Sequence, residues 1–412
     1  MYVINSNTGL LEPSSGGGVN YGDAAELIPQ LNQLNGSSQG ALPADKLAAA
    51  LESKAAVASA IEAKGVEVAN APFSEYAAKI REIKAETPKV EGTPGNGFPV
   101  RFFDYDGTLL KTHYVHKGED ATPPEVPENE LLSFQQWNND YTNIQGPTDT
   151  GAIYTSKDGA SYFFISITNT ATQVWLKHTV TNGTAVVDWG DGSTDTNDGT
   201  AEFVTPHTYS SPGNYVIRLS ATDGASVDMS NSFISNPADG WPSTSICREI
   251  IFSDFVKTAR LAAATDSGIM KISFSSNTKL QNSASLGYLY RVRGIIVPLP
   301  VYSIGFRGSS GLDCIVLSAS GSYQVNNYAL ESVRLRSLII PSSVSAISNN
   351  STATGYIDTL VMRRTTPPTF TPKLSCAKIY VPQGSLKAYQ TATNWSAFAD
   401  IMEEYTEETI LW

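Results

Sequence analysis

The sequence is poor in the features that mark disulfide scaffolds, nucleic-acid binders and membrane proteins. Its three cysteines, Cys247, Cys314 and Cys376, are odd in number and widely spaced. That excludes zinc spacing or a disulfide framework as an organising principle, and buried small hydrophobes are the expected role of these thiols. Lys and Arg number 28 against 40 Asp and Glu, a formal charge of −12. With no basic stripe to displace counterions from phosphates, nucleic acid is not the expected partner. No apolar run approaches the ~20 residues of a membrane span. The opening "MYVINSNTGLLEPSSGGG" holds neither a basic nor an apolar signal region, so no secretory signal peptide is expected.

Charged residues make up only 17%, whereas Gly, Ser, Thr and Asn are abundant and Tyr numbers 19. This composition suits an extracellular or particle-surface β protein better than a cytosolic enzyme. The 412 residues allow two to four domains with cores of their own.

Three helical segments are expected near the start. Residues 23–36 carry Asp23 as N-cap and Leu27, Leu31 and Leu34 on one face, with Pro29 as a bend. Residues 43–64 are capped by Asp45, place Leu47, Leu51, Ala58 and Ile61 in a stripe, and stop at Gly65. The third segment starts at Ser74, with Phe73 stapled onto Ala78. A Pro/Gly linker follows at 89–99, and everything after it reads as β.

"RFFDYDGTLL" at 101–110 resembles the catalytic loop of haloacid-dehalogenase-like phosphotransferases, in which the first Asp attacks phosphorus and Mg²⁺ shields the charge. "GDGSTD" at 190–195 has the acidic spacing with which such enzymes hold the metal. The fold demands a helix directly after the first Asp, but strand-like alternation follows Thr108. Lys177 is the only plausible phosphate partner before the second acidic pair. A two-residue Asp106-Gly107 turn, pairing Tyr105 with Thr108 and Phe103 with Leu110, accounts for Asp104 and Asp106 without a metal. No catalytic, cofactor or metal residue is therefore assigned, and no enzyme activity is expected. His113 and His116, three apart on a strand, face opposite sides, and His178 and His207 stand alone. Tyr and Trp side chains in polar loops have the chemistry to stack on sugars, with no position singled out.

From 245 onward short apolar strands recur, led by Ile250, Ile272, Ile295, Ile315, Leu338, Leu360 and Ile379 at spacings of 22, 23, 20, 23, 22 and 19. One such strand gains roughly 6 kcal/mol from ~3 buried aliphatics, against an ordering cost of roughly 1.5 kcal/mol per residue of its repeat. Single units therefore cannot fold, and a stacked solenoid shares one core. "GSLKAYQTATNWSAFADIMEE" is expected to be a helical cap.

Four resemblances give these segments an expected identity. "VRFFDYDGTLLKTHYVHKGEDATPPEVP", followed by Phe134 and Trp137, closely resembles the Listeria–Bacteroides repeat, a β-grasp-like unit of internalin-type surface proteins. "VVDWGDGSTDT" with "HTYSSPGNYVIRLSAT" resembles a PKD domain, an immunoglobulin-like sandwich. That likeness implies core roles for Trp189 and Tyr215, a turn organised by Asp191 and at most weak Ca²⁺ affinity at Asp188, Asp191 and Asp195. "LRSLIIPSSVSAI" resembles the Bacteroides-type surface leucine-rich repeats. "KLAAALESKAAVASAIEAKGVEVANAPFSEYAAKIREI" is similar to a helical segment of phage tail and other structural proteins, which leave the cell by lysis.

The expectation is a multidomain, mainly β chain. It comprises a helical attachment and oligomerisation region (1–88), a β-grasp-like module (100–147), an immunoglobulin-like sandwich (150–232) and a leucine-rich-repeat solenoid with a helical cap (245–412). The expected function is that of an oligomeric phage virion surface protein, a head or tail fibre or receptor-binding component. It would hold other virion proteins through its N-terminal region and a host-surface protein or glycan through the C-terminal modules. Alternatives are a bacterial cell-surface adhesin and an accessory protein of a glycan-degrading enzyme.

Overall fold

In a computed structural model the chain divides into two compact units, Met1–Thr87 and Pro88–Trp412. In the first, the structure describes residues 2–4, 11–13 and scattered positions between 54 and 79. In the second it describes residues 88–411 except 171, 205, 230–233, 236–245, 260–267, 281–288, 299–302, 305, 307, 322, 326–329, 349–354 and 372–373. Strands β1 (Tyr2–Ile4) and β2 (Leu11–Pro13) form an antiparallel pair. The helix expected at 23–36 lies outside the described residues. Described positions from 54 to 62 are helical, and Ile61 packs with Ala58, Val68 and Tyr76. Ser74 does not precede its helix, because the 3₁₀ turn already begins at Phe73.

The second unit overturns the expected chain of separate modules. It is a β-solenoid of about 12 turns, and 46% of the described residues are strand and 8% helix. The residues expected to be a linker begin it. Strand β3 (Lys89–Glu91) pairs with β5 (Leu109–Val115), which forms a hairpin with β4 (Phe98–Phe103). Strands β6 (Leu132–Trp137) and β7 (Thr148–Ser156) complete a five-stranded sheet in the order β3-β5-β4-β7-β6. Because β7 lies wholly beyond residue 147, between β4 and β6 in the sheet, the expected module would lack one of its inner strands.

The expected immunoglobulin-like sandwich is also corrected. Strands β8 (Ser161–Ile167), β9 (Thr172–Leu176), β10 (Thr179–Thr181), β11 (Ala185–Asp188) and β12 (Thr194–Asn197) are followed by β13 (His207–Tyr209), β14 (Gly213–Ala221), β15 (Ser226–Met229) and β16 (Ile234–Ser235). They do not close on themselves. The sheet β12-β11-β14-β8 continues into β17 (Cys247–Ile251), and β15 pairs in parallel with β18 (Val256–Ala259). A free sandwich leaves the edges of both its sheets open, and here solenoid strands cover two of them, at β8 and at β15. One hydrophobic core accordingly runs from Phe163 to Met402.

The remaining turns build two parallel stacks, and all but the last two contribute a strand to both. The first stack holds β17, β19 (Lys271–Ser273), β21 (Gly294–Ile296), β23 (Cys314–Val316), β25 (Arg334–Ile340), β27 (Gly355–Met362), β29 (Leu374–Pro382) and β30 (Met402–Tyr405). The second holds β18, β20 (Lys279–Leu280), β22 (Ser303–Ile304), β24 (Tyr323–Val325), β26 (Val344–Ser348) and β28 (Thr369–Thr371). In register, Ile250 faces Ile272, Ile295 faces Ile315, and Leu338, Leu360 and Ile379 share one ladder. The leucine-rich-repeat expectation of one strand per unit is thus replaced by two. In place of a wholly helical ending, helix α1 (Leu386–Thr391) and a 3₁₀ turn (Trp395–Ile401) lead into the further rung β30.

Consecutive apolar residues in the first stack are buried on opposite faces. Ile250, Ile295, Ile315, Leu338 and Leu360 enter the solenoid core, whereas Ile251, Ile296, Val316, Ile339 and Val361 point outward. The five-stranded sheet covers that outward face. Val100 and Phe102 pack with Ile339 and Val361, Phe103 and Ile153 with Ile296 and Val316, and Tyr105 and Tyr154 with Ile251. Unbroken aliphatic triplets are the signature of strands buried on both sides.

Buried polar groups fix how the layers sit. Arg101 donates through Nε and Nη2 to the two Asp149 oxygens, at 2.7 Å each, and through Nη1 to Ser337 Oγ at 3.0 Å. Asn138 Nδ2 donates to Val297 O at 3.0 Å, and Asn139 Nδ2 to Leu317 O at 2.7 Å. Where the β4–β5 hairpin reaches the solenoid, backbone meets backbone. A Cβ on Gly294 would lie 2.2 Å from Gly107 Cα. Gly294→Ala should therefore lift the hairpin and destabilise the fold by about 1–3 kcal/mol. Thermal unfolding is the check. The control Gly199→Ala, whose Cβ would meet nothing nearer than 4.0 Å, should leave the midpoint in place.

Candidate functional site

A cluster of ionisable side chains surrounds the tip of the β4–β5 hairpin. The tip is one residue longer than the expected two-residue turn. Phe103 pairs with Leu109, the Asp104 N–H donates to Thr108 O at 2.8 Å, and the Gly107 N–H donates to Asp104 O at 3.0 Å. Gly107 has φ +88°, the left-handed geometry that closes a three-residue hairpin loop with a bulge. This loop wins because both acidic side chains cap it. Asp104 Oδ1 accepts the Tyr105 N–H at 2.8 Å, and Asp106 Oδ1 accepts the Thr108 N–H at 3.1 Å.

Asp104 does end a central strand that runs parallel to β7. The next element, however, is antiparallel β5, not the helix that phosphoryl-transfer loops require. The two Asp are joined by residues that sequence reasoning passed over. Tyr154 OH donates to Asp104 at 2.8 Å, Tyr105 OH donates to Glu249 at 3.3 Å, and Lys271 Nζ lies 3.2 Å from Asp106. Glu249 and Lys271 face each other across the β17–β19 ladder. Their separation of 22 is the rung period itself, the one signal by which the pair was readable.

The electrostatics follow from burial. Desolvation raises the Asp104 and Glu249 carboxyls above the usual range and pushes both Tyr105 and Tyr154 hydroxyls up strongly. Burial also acts upward on Asp106, but hydrogen bonds from Thr108 and the nearby Lys271 outweigh it and leave that carboxyl lowered. The one ammonium of the cluster, Lys271, neutralises the Asp106 carboxylate. Among the described residues, no group of three or more His, Cys, Asp or Glu is placed to hold a metal ion.

The second acidic signature lies on the β11–β12 hairpin and serves its own turn. Asp191 accepts from Ser193 N–H at 3.1 Å and Ser193 Oγ at 2.6 Å, and its other oxygen lies 2.7 Å from His207 Nε2. Asp188 accepts the Gly190 N–H, and Asp195 accepts Trp189 Nε1–H at 2.8 Å. Trp189 is fully buried, stacked on His207 at 4.7 Å, whereas Tyr215 is half-buried. Lys177 Nζ sits over the Trp175 ring, 4.5 Å from its centroid.

The remaining candidates stay apart. His113 Nδ1 accepts the Thr122 N–H, and His116 Nδ1 lies 2.6 Å from Glu407. His178 is buried against Phe203, with Nδ1 2.9 Å from Leu176 O. Cys247 is buried, Cys314 and Cys376 are half-buried, and all three are free thiols. Burial pushes Cys247 and Cys376 up to about 12, well away from a reactive thiolate.

No protein-family model matches the chain, and no curated protein matches it.

Asp104 gives this reading a pH signature. A carboxyl raised by folding binds its proton more tightly in the folded state. Its contribution is fully present at low pH and is lost as pH rises from the ordinary 3.8 through the raised folded value. Asp104→Asn keeps the acceptor for Tyr105 N–H and Tyr154 OH but carries no charge. Its urea midpoint at pH 7 should match or exceed that of the unsubstituted protein, with the gain shrinking towards pH 4. A marked loss at pH 7 would show that the charge itself is needed.

Proposed function

We propose that the protein is a structural and adhesive component of a bacteriophage virion surface, a head or tail fibre or receptor-binding part that attaches to a bacterial or mucosal surface. The carrying observation is the continuous core of the second unit, which joins antiparallel and parallel strands from Phe163 to Met402 without a break. A stack of turns with a second sheet laid along it offers long, rigid surfaces, as fibres and adhesins require. The carboxylates of both acidic signatures are occupied by their own turns and neighbours, which suits a building role. The helical positions between 54 and 79 belong to the separate unit Met1–Thr87. This unit is proposed to hold other virion proteins and copies of itself, so that many weak contacts add up through avidity.

Immunogold labelling of particles with an antibody against residues 88–411 tests the proposal. Gold is expected on the particle exterior. A tag placed after residue 412 should lie farther from the particle than one placed before residue 1. Label confined to the envelope of cells that carry no particles would contradict the reading.

A further inference from the structure

Along the edge strand β6 runs a groove of about 900 Å³, lined by residues 123–126, 128 and 134–141. Its construction starts from a defect in pairing. Strand β6 pairs with β7 in antiparallel register, Phe134 opposite Tyr154 and Trp137 opposite Ala152, with a shift between Phe134 and Gln136. In a regular strand residues three apart face opposite sides. The extra residue, Gln135, returns Trp137 to the side of Phe134 and brings their ring centroids to 5.5 Å.

Gln135 itself is anchored in the solenoid layer. Its Nε2 lies 3.0 Å from both Asp254 oxygens, and its Oε1 accepts the Ser276 N–H at 3.0 Å. The bulge is therefore held from behind.

Interior rings hold the aromatic residues. Trp137 meets Phe102 edge-on at 5.0 Å, Tyr141 meets the same ring at 5.8 Å, and Phe134 meets Tyr154 at 5.9 Å. Phe134 nevertheless stays 36% exposed. Aromatic surfaces already fixed before a ligand arrives lose little conformational entropy on binding. Among the lining residues are the carboxylates Glu125, Glu128 and Asp140 and the exposed amide of Gln136, and none is Lys, Arg or His. Like charge thus disfavours phosphate, sulfate and uronate ligands.

We propose that this groove is a binding site for a neutral oligosaccharide. The apolar faces of the sugar rings would rest on Phe134, Trp137 and Tyr141 while their hydroxyls donate to the carboxylates and the Gln136 amide. The inference rests on the attachment reading above for its setting, and it supplies the chemistry of the contact.

Affinity electrophoresis of the full chain decides it, in gels carrying mannan, galactomannan or barley β-glucan, with heparin and pectate gels and free polylysine as comparisons. Retardation by at least one neutral polysaccharide is expected, insensitive to salt because no ion pair carries it. Gln136→Ala, at an exposed position, should weaken it about tenfold with unchanged melting temperature, and Phe134→Ala should weaken it about tenfold in a protein that still unfolds cooperatively. Retardation by no neutral polysaccharide, equal retardation of both variants, or binding confined to the anionic polymers or to polylysine would each overturn the assignment. Attachment of the full chain to bacterial cells and mucin, measured in parallel, separates the two levels. Attachment retained in both variants refutes the groove alone. If the unsubstituted chain attaches to nothing, the attachment reading falls and the gels still decide the groove.

Discussion

The fold depends on burying both faces of one stack of short parallel strands. A rung of three to nine residues is too small to stand alone, and a solenoid normally leaves its outer face to water. Here that face is apolar at Ile251, Ile296, Val316, Ile339 and Val361, and a five-stranded sheet lies over it. Each such side chain contributes about 1.5–3 kcal/mol by leaving water. The covering sheet is therefore part of the structural unit and not a module carried by it. The same constraint explains why the antiparallel strands of 161–229 are not free-standing, since their edge strands continue into the first solenoid rungs.

Polar groups between the layers supply register more than energy. Arg101, Asp149, Asn138 and Asn139 are all buried, and each reaches a partner at one position in the opposite strand or rung. A slip of the covering sheet by one residue would strand a buried charge or amide, at a cost of several kcal/mol for the ion pair. The hairpin tip obeys the same logic. Tyr105 OH joins the tip to Glu249 on β17 and Asp106 joins it to Lys271 on β19, beside the point where Gly107 and Gly294 allow the backbones to touch.

Part of this was legible in the sequence. The spacing of Ile250, Ile272, Ile295, Ile315, Leu338, Leu360 and Ile379 marks positions that do lie in rungs: four of the six intervals join residues that face each other, and all seven side chains enter one core. The second strand of each turn was hidden, because segments such as Ser303–Ile304 and Thr369–Thr371 are too short and polar to stand out. The triplets themselves, such as Ile295-Ile296-Val297, already carried the clue to two-sided burial, but periodicity alone does not say what covers the second face. Turn motifs misled in the opposite direction. "WGDGSTDT" does form a tight hairpin, yet a hairpin is local and says nothing of where its sheet ends. The groove on β6 was unreadable for a related reason, since a one-residue bulge leaves no mark in composition.

Native-state hydrogen exchange in graded urea tests the two-sided burial most directly. The account predicts that amides of Phe98–Phe103 and Thr148–Ser156 lose protection together with those of Arg334–Ile340 and Gly355–Met362, as one cooperative unit. If the covering strands opened first, at clearly lower urea, while the solenoid rungs stayed protected, the sheet would be a separable module and the account would be wrong.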